Sequence, residues 1–247
     1  MILGAGIETA SAGRWGPSSD PRPVLIVTGL VQEARIAEGP GMTVICSSSD
    51  PKQLRAMLAS FDANSIRGVI SFGVAGGLDP KLESGDIVIA TDIVAGSERW
   101  LAGLEFSRSL LTDSDHAGRR VVHGSLVGVE KVIAGRAEKV QLRESTGAAA
   151  VDMESHIAAA FAAQAGLPFA AVRVISDPAT RALPELAANA IKPNGDIDLR
   201  KVLRGLARNP TLLRSLVSTG RDFNRALRSL RGCRSFLSGG GMLAAES

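Results

Sequence analysis

The chain has 247 residues, of which 45% are hydrophobic, 21% are charged and 4% are aromatic, and its formal net charge is +3. This length allows one large or two modest domains, and ordinary Gly and Pro usage excludes a disordered, collagen-like or coiled-coil chain. Two cysteines and three histidines leave little material for a disulfide framework or a metal site. No apolar run reaches the roughly 18 residues of a membrane span. We therefore expect a globular cytoplasmic protein with no metal and no cofactor.

The first 198 residues divide into an extension and a regular body. Residues 1–22 are rich in Gly, Ser and Pro and lack the pattern of a signal peptide, so they predict a loose extension. In the body, 23–198, apolar strand patterns lie at 24–29, 42–47, 69–74, 86–95, 121–129, 148–153 and 169–176. Amphipathic helical patterns lie at 51–61, 131–140 and 154–166. This alternation predicts an α/β domain, and the continuously apolar strands indicate helices on both faces of the sheet.

The C-terminal part differs from the body in pattern and in charge. Residues 199–234 carry ten basic residues and one acid, a net charge of +9, whereas residues 1–198 carry 18 bases and 23 acids. Apolar periodicity predicts two amphipathic helices, separated at Asn209 and Pro210, and then a flexible tail at 235–247. A basic stripe follows the second helix at Arg214, Arg221, Arg225 and Arg228. The stripe is either a solvated helix face or a contact for an anionic membrane surface or an amphiphilic substrate.

A glycine-rich segment follows the third predicted strand. In VISFGVAGGLDPKLESGDIVIA, 69–90, Gly73, Gly76 and Gly77 come directly after buried residues. Such glycines let backbone amides approach a ligand at the end of a parallel sheet, although a tight turn needs them equally. The segment has neither the P-loop pattern nor the dinucleotide spacing, so a triphosphate or nicotinamide site is not supported.

Three carboxylates cluster near predicted strand ends in a second segment, 148–177. Asp152 and Glu154 lie where a strand becomes a helix, and Asp177 lies at the end of the next strand. Parallel strand ends meet at one sheet edge, so these groups are expected to converge on a ligand site. Helix capping by Asp152 or Glu154, and a turn formed by Asp177 before Pro178, are the structural alternatives.

These motifs together carry a resemblance to a known family. V-T-G-x-x-x-E-A, F-G-V-A-G-G-L-x-x-x-L-x-x-G-D-I-V, V-D-M-E and R-V-I-S-D occur in that order between residues 23 and 180. The chain resembles the purine nucleoside phosphorylase and nucleosidase superfamily, and within it methylthioadenosine/S-adenosylhomocysteine nucleosidase, futalosine hydrolase and the hopanoid-associated phosphorylases. The resemblance implies a single-domain, three-layer α/β/α fold with a mixed central sheet. It also implies a homo-oligomer in which neighbours complete each site.

The resemblance implies a role for each matching residue. Asp177 matches the aspartate that donates a proton toward purine N7, which requires a raised pKa that burial would supply. Glu154 matches the glutamate that accepts hydrogen bonds from the ribose hydroxyls, and Met153 matches the methionine packed on the sugar. The residues expected to bind substrate are Gly29, Gly73, Val74, Ala75, Gly76, Gly77, Val151, Asp152, Met153, Glu154 and Ser176.

Departures from the family pattern bear on the nucleophile. Where hexameric phosphorylases place arginines, this sequence has Glu33 and Ser71. A phosphate dianion needs cations, whereas a carboxylate can orient and deprotonate water, so hydrolysis is favoured with Glu33 as the second catalytic residue. Because Ala34 follows Glu33 where nucleosidases carry adjacent acids, the match admits a shift by one position. Phosphate as co-substrate stays open, with Arg35, Arg99 or Arg173 as its ligand.

The tail bears on the substrate. ARNPTLLRSL, 207–216, is similar to the hopanoid-associated branch, whose proposed reaction releases adenine from adenosylhopane. A lipid at the ribose 5′ carbon would need an apolar channel, and a basic amphipathic helix would allow peripheral membrane contact. His123 and His156 are expected to be structural. The resemblance therefore predicts cleavage of the N-glycosidic bond of an adenine nucleoside, with adenosylhopane as the expected substrate. The alternatives to this prediction are a nucleosidase for small substrates (methylthioadenosine, S-adenosylhomocysteine or futalosine) or a non-catalytic nucleoside-binding protein. A nucleic-acid partner is not expected, because the body is acidic and the chain has no Tyr for stacking.

Overall fold

The computed structural model describes residues 20–103, 119–184 and 213–237. Most of the predicted extension, the first predicted terminal helix and most of the predicted tail lie outside these residues. The described strands are Val24–Thr28 (β1), Met42–Cys46 (β2), Val69–Gly77 (β3), Ile87–Ala95 (β4), Glu98–Leu101 (β5), Val121–Gly128 (β6), Ala150–Asp152 (β7) and Phe169–Asp177 (β8). The described α-helices are Val31–Ala37 (α1), Pro51–Ala59 (α2), Arg136–Thr146 (α3), Ser155–Gln164 (α4), Leu213–Gly232 (α5) and Arg234–Leu237 (α6).

All eight strands belong to one mixed sheet with the order β2-β1-β3-β7-β6-β4-β5. Its pairs are parallel except for β3 with β7, β4 with β5 and β4 with β8. Strand β8 pairs with β3 on one side and with β4 on the other. Strands β3, β7, β6, β4 and β8 therefore close into a ring, from which β1 and β2 extend on one side and β5 on the other.

Helices cover the sheet on two opposite sides, so the predicted three-layer α/β fold is confirmed. One hydrophobic cluster joins the strands to α2 and α4, through residues such as Leu54 and Ile157. A second cluster joins them to α1, α5 and α6, through residues such as Ile36, Leu227 and Leu230. None of the helices in the described ranges is both long and apolar enough to cross a membrane.

Local signals in the sequence fix several helix ends. Helix α2 begins after Asp50, whose Oδ1 accepts hydrogen bonds from the backbone N–H groups of Lys52 and Gln53 at 2.9 and 3.3 Å, and Pro51 occupies its first turn. Helix α3 ends at Gly147, whose φ of +70° is a left-handed conformation that favours glycine. Both ends follow from residue types that the sequence displays.

The structure differs from the sequence-based expectation at three elements. Strand β5 was not predicted because only Trp100 of its four residues is buried, as is typical of a short edge strand. Helix α1 was not predicted either, because its seven residues are too few to show a helical period. The helix expected at 131–140 begins instead at Arg136, directly after Gly135, and the apolar Val132 and Ile133 before it line a cavity.

Candidate active site

A cavity of about 380 Å³ opens where strands β1, β3, β7 and β8 end, and helix α5 lies across it. The sheet side and the loops contribute Gly29, Leu30, Gln32, Glu33, Ser49, Val74, Ala75, Gly76, Val129, Val132, Ile133, Val151, Asp152, Met153, Glu154, Ser176, Asp177 and Leu183. Helix α5 contributes Leu216, Thr219, Gly220 and Phe223. The predicted carboxylates Glu33, Glu154 and Asp177, far apart in sequence, therefore face one cavity.

Glu33 is held in the cavity wall by backbone donors. Its side chain is buried, its Oε2 accepts hydrogen bonds from the N–H groups of Gly29 and Leu30, both at 2.9 Å, and its Oε1 accepts one from Val74 at 2.7 Å. The bond to Leu30 also satisfies a free donor at the start of helix α1. Burial raises the pKa of Glu33, while the charge of Arg173 and the three backbone donors oppose that shift.

Arg173 lies behind the cavity as the cation shared by the buried acids. Its Nε donates to Asp152 Oδ2 at 2.7 Å, its Nη2 donates to Ser71 Oγ at 2.7 Å, and Nη2 lies 3.4 Å from Glu154 Oε2. The side chain is completely buried, and its Nη1 has no hydrogen-bond partner among the described residues. Three arginines were suggested as phosphate ligands, and none of them lines the cavity. Arg173 lies directly behind its wall, in contact with Asp152 and Glu154.

Glu154 is a second buried carboxyl group whose charged form is disfavoured in the folded protein. Burial raises its pKa to about 8; Arg173 opposes the shift, and the like charges of Asp152 and Glu33 add to it. Near neutral pH this group therefore holds a proton for much of the time and is able to donate as well as accept a hydrogen bond. The carbonyl oxygen of a protonated carboxyl group still accepts hydrogen bonds, so a raised pKa is compatible with the acceptor role expected for Glu154.

Asp177 sits at the end of β8 between two polar partners. Lys139 Nζ lies 2.5 Å from Oδ2, and the hydroxyl of Ser176 donates to Oδ1 at 2.7 Å. The Asp177 side chain keeps 16% of its surface exposed, whereas the Lys139 side chain is fully enclosed. The sequence-based expectation of a buried Asp177 is therefore only partly met, because the residue is open to the cavity on one side.

The positions of Asp152, Gly73 and Gly77 differ from those expected of residues that contact substrate. Asp152 belongs to the cavity wall, but its carboxylate is 1% exposed and is used by Arg173 and by the N–H groups of Glu154 and Ser155 at 3.1 and 2.8 Å. The helix-start alternative therefore describes its side chain. Gly73 and Gly77 were expected to contact substrate, but neither lines the cavity.

Glycine is required at Gly29 and Gly73 because side chains approach their backbones closely. A Cβ at Gly29 would lie 2.6 Å from Glu154 Oε1, and one at Gly73 would lie 2.5 Å from Arg173 Nη1 and 2.7 Å from Glu33 Oε1. These two positions thus allow the acids and the guanidinium to reach the strand ends. The remaining predicted contacts, Val74, Ala75, Gly76, Val151, Met153 and Ser176, line the cavity.

Sequence reasoning missed two parts of the site. One is Lys139, which lies on a helix with an otherwise solvent-facing pattern and carries no motif. The other is the apolar group around the cavity mouth, formed by Val129, Val132, Ile133, Leu183, Leu216 and Phe223. His123 and His156 do not line the cavity; His156 Nε2 lies 3.1 Å from Glu130 Oε1. Both histidines thus lie outside the cavity wall.

The protein is thus an α/β protein whose mixed sheet closes into a ring and carries buried carboxylates at its strand ends. The sequence model of the phosphorylase superfamily matches residues 19–204, three quarters of the chain. The chain therefore belongs to the phosphorylase superfamily, as its motifs indicated.

Solved structures share this fold at low sequence identity. They include 5′-methylthioadenosine/S-adenosylhomocysteine nucleosidase from Neisseria meningitidis, at 17% identity and a TM-score of 0.63, covering 88% of this chain and 99% of that one. The corresponding nucleosidase from Helicobacter pylori has 16% identity and a TM-score of 0.62, covering 88% and 96%. Futalosine hydrolase of Helicobacter pylori has 16% identity and a TM-score of 0.59, covering 76% and 97%.

Proposed function

We propose that this protein cleaves the N-glycosidic bond of an adenine nucleoside and releases adenine. The observation that carries the proposal is the meeting of Glu33, Glu154 and Asp177 around one cavity of about 380 Å³. This volume falls within the usual range for small-molecule sites, about 300 to 1,000 Å³. Membership of the phosphorylase superfamily and the fold shared with nucleosidases support the same reaction class.

In the proposed reaction, the three carboxyl groups divide the work. Asp177 gives a proton to purine N7 as the bond from C1′ to N9 breaks, and Glu154 holds the ribose hydroxyls. Met153 packs on the sugar, and Val151 and its neighbours pass along the base. The sugar develops oxocarbenium character, which an adjacent carboxylate stabilises.

Water is the favoured nucleophile. Glu33 and Glu154 lie at the cavity surface, whereas the one arginine of this cluster, Arg173, is engaged behind them by Asp152 and Ser71. A phosphate dianion entering here would meet carboxyl groups before any cation, so its charge would lack the cationic partners that phosphate sites supply, whereas neutral water needs none. Glu33 would orient the water. Strict dependence of turnover on added phosphate would overturn this part of the proposal.

The apolar cavity mouth supports a substrate with an apolar 5′ substituent, and adenosylhopane is our leading candidate. Val132, Ile133, Leu216 and Phe223 offer hydrocarbon surface between the carboxylates and solvent. Full burial of such a side chain is worth about 1.5 to 3 kcal/mol, and these side chains, which are already partly buried, would each contribute a fraction of that against a ligand. The solved structures that share the fold, methylthioadenosine/S-adenosylhomocysteine nucleosidase and futalosine hydrolase, support a small nucleoside as the second candidate: methylthioadenosine, S-adenosylhomocysteine or futalosine.

Adenine release tests the function directly. Pure protein would be incubated with soluble adenine nucleosides and with a lipid-linked adenine nucleoside, with and without phosphate, and free adenine would be measured. We expect Asp177→Asn to lower the rate about 10²- to 10⁴-fold, the usual value of general acid catalysis, without loss of folding.

The matched control is Asp62→Asn, since Asp62 is exposed and asparagine caps the following turn nearly as well. Unchanged turnover by Asp177→Asn would refute the role of this residue. An intact nucleoside bound beside Asp177, with no release by the wild type, would indicate a binding protein instead of an enzyme.

A further inference from the structure

Lys139 is a fully enclosed cation beside the cavity that the proposed reaction does not yet use. Its Nζ lies 2.5 Å from Asp177 Oδ2 and also contacts the carbonyl oxygens of Asp177, Pro178 and Arg181 at 3.4, 3.2 and 3.3 Å. Among the described residues, all four hydrogen-bond contacts of this ammonium group are therefore to Asp177 or to the loop that follows it. Lys139 does not itself line the cavity.

The orientation of helix α3 makes this contact unusual. Lys139 is 0% exposed, whereas the next residue, Val140, is 45% exposed. A helix that turns a lysine inward and a valine outward loses both the hydration of the charge and the burial of the apolar side chain. A buried ion pair is also no more stabilising than apolar packing of similar volume. The arrangement is therefore better explained by what Lys139 does to Asp177 than by stability.

The two oxygens of Asp177 are held from different sides. Ser176 donates to Oδ1 at 2.7 Å and Lys139 donates to Oδ2. With both oxygens engaged, the plane of the carboxyl group is fixed relative to the cavity. The contacts of Lys139 with Pro178 and Arg181 also anchor the loop after β8, which continues to Leu183 at the cavity mouth.

We infer that Lys139 is a positioning residue for Asp177, the proposed acid, and that this role rests on the proposed function. In the step concerned, the bond from C1′ to N9 breaks and its electron pair moves into the purine. The proton of Asp177 passes to N7, water adds to C1′, and the proton lost by that water passes to Glu33. Asp177 is left with a negative charge, which the ammonium group of Lys139 offsets without moving.

The test is a double-mutant cycle on adenine release, comparing Lys139→Met, Asp177→Asn and the double variant. We expect Lys139→Met to lower kcat by up to about 10²-fold, the effect of misplacing a reacting group, with a smaller change in KM. Because Lys139 acts through Asp177, adding Lys139→Met to Asp177→Asn should cost no further rate. Lys52→Met, the same change on the exposed face of helix α2, is the matched control.

A second substrate separates a catalytic effect from a structural one. The nitrophenolate of p-nitrophenyl riboside leaves without a proton, so Lys139→Met should cleave it at a rate close to that of the wild type. Lys139→Gln, which keeps a donor but not the charge, replaces Lys139→Met if that variant does not fold.

Three results would overturn the inference: wild-type adenine release by Lys139→Met, losses that multiply in the double variant, or equal losses on both substrates. A wild type that releases adenine from no nucleoside would instead contradict the proposed function itself. The two failures are therefore distinguishable.

Discussion

Three carboxyl groups share one guanidinium inside this protein. Glu33, Asp152 and Glu154 are buried together with Arg173, and each additional negative charge there would be poorly compensated. Such a cluster lowers its energy by keeping a proton on one or more of its acids, as the raised pKa values of Glu33 and Glu154 indicate. The stability of the protein should therefore depend on pH through this site.

Glu154 gives this dependence a sign and a range. Its pKa is about 8 in the folded protein against 4.5 for a free glutamate, so over this interval the folded state holds a proton that the unfolded chain has lost. The free energy of unfolding should therefore fall as the pH rises from about 5 to about 8. Glu33 contributes in the same direction. Glu154→Gln resembles the protonated acid, so its free energy of unfolding should fall less across this pH interval. The variant should therefore gain stability relative to the wild type mainly near pH 8.

Urea unfolding at several pH values across this window measures the effect. Glu98→Gln, on the exposed edge of strand β5, is the control and should follow the wild-type curve. Parallel curves for Glu154→Gln and the wild type would show that Glu154 does not hold the proton.

At the scale of elements, helix α5 has three faces with different partners. Leu227 and Leu230 are buried in the core beneath it, Leu216 and Phe223 line the cavity, and Arg221 and its neighbours along the stripe are exposed. Leu213 and Val217, 52% and 43% exposed, flank that stripe. Exposed apolar groups beside a basic stripe are typical of helices that lie on anionic membranes. We propose that α5 makes such a contact at the cavity mouth.

Vesicle sedimentation tests the membrane contact. The protein should bind vesicles that contain phosphatidylglycerol and not those of phosphatidylcholine alone, and added salt should weaken binding. Removing two charges with Arg221→Gln and Arg228→Gln should lower the affinity about tenfold or more, since each basic group near the surface contributes about 1 kcal/mol. Lys52→Gln with Lys81→Gln removes two exposed charges elsewhere and should have little effect. Equal losses in both double variants would contradict a specific role for α5.

The elements that the sequence predicted are those whose signals are local. Apolar runs located the core strands, and the amphipathic pattern at 51–61 located α2. Strand β5 escaped because its stability comes from pairing with β4, beyond a turn at Gly96, and not from its own pattern. The start of α3 was predicted too early, because Val132 and Ile133 extend the apolar pattern although they precede the helix and line the cavity.

For the whole molecule, the ring of strands and the two hydrophobic clusters form one connected unit. Helix α5 closes the second cluster by packing on β8 and β3, where Leu230 is 0% exposed. The body and the terminal helix are thus expected to unfold together, because separation would expose the strands that carry Arg173 and Asp177.

Leu230→Ala should lower the free energy of unfolding by about 2 to 5 kcal/mol, the usual cost of truncating a buried leucine. The loss of helix, followed by circular dichroism, should coincide with the fluorescence change of Trp100 in β5, measured in a Trp15→Phe background because Trp15 also emits, as in a single cooperative transition. Leu213→Ala, at a site 52% exposed, is the control and should cost far less. Separate transitions for the two signals would show that α5 melts independently.

The candidate site was predictable only in part, because sequence patterns are local whereas part of the site is formed by tertiary packing. Glu154 and Asp177 stand at strand ends, where periodicity alone places them at the sheet edge, and the family motifs added Glu33. Lys139 and Phe223 reach the site through packing between elements far apart in sequence, which no local pattern encodes. The use of the Asp152 side chain by Arg173, and not by a ligand, likewise depends on tertiary burial.

The acids that line the cavity all project from the sheet side, while the terminal helix offers it only apolar, hydroxyl and glycine positions. The acids of the proposed site are therefore carried by the body, whereas the apolar mouth is shared between the body, with Val132, Ile133 and Leu183, and helix α5, with Leu216 and Phe223. Under the proposed function, exchanging Leu216 and Phe223 is expected to change which 5′ substituents fit while leaving all of the acids in place.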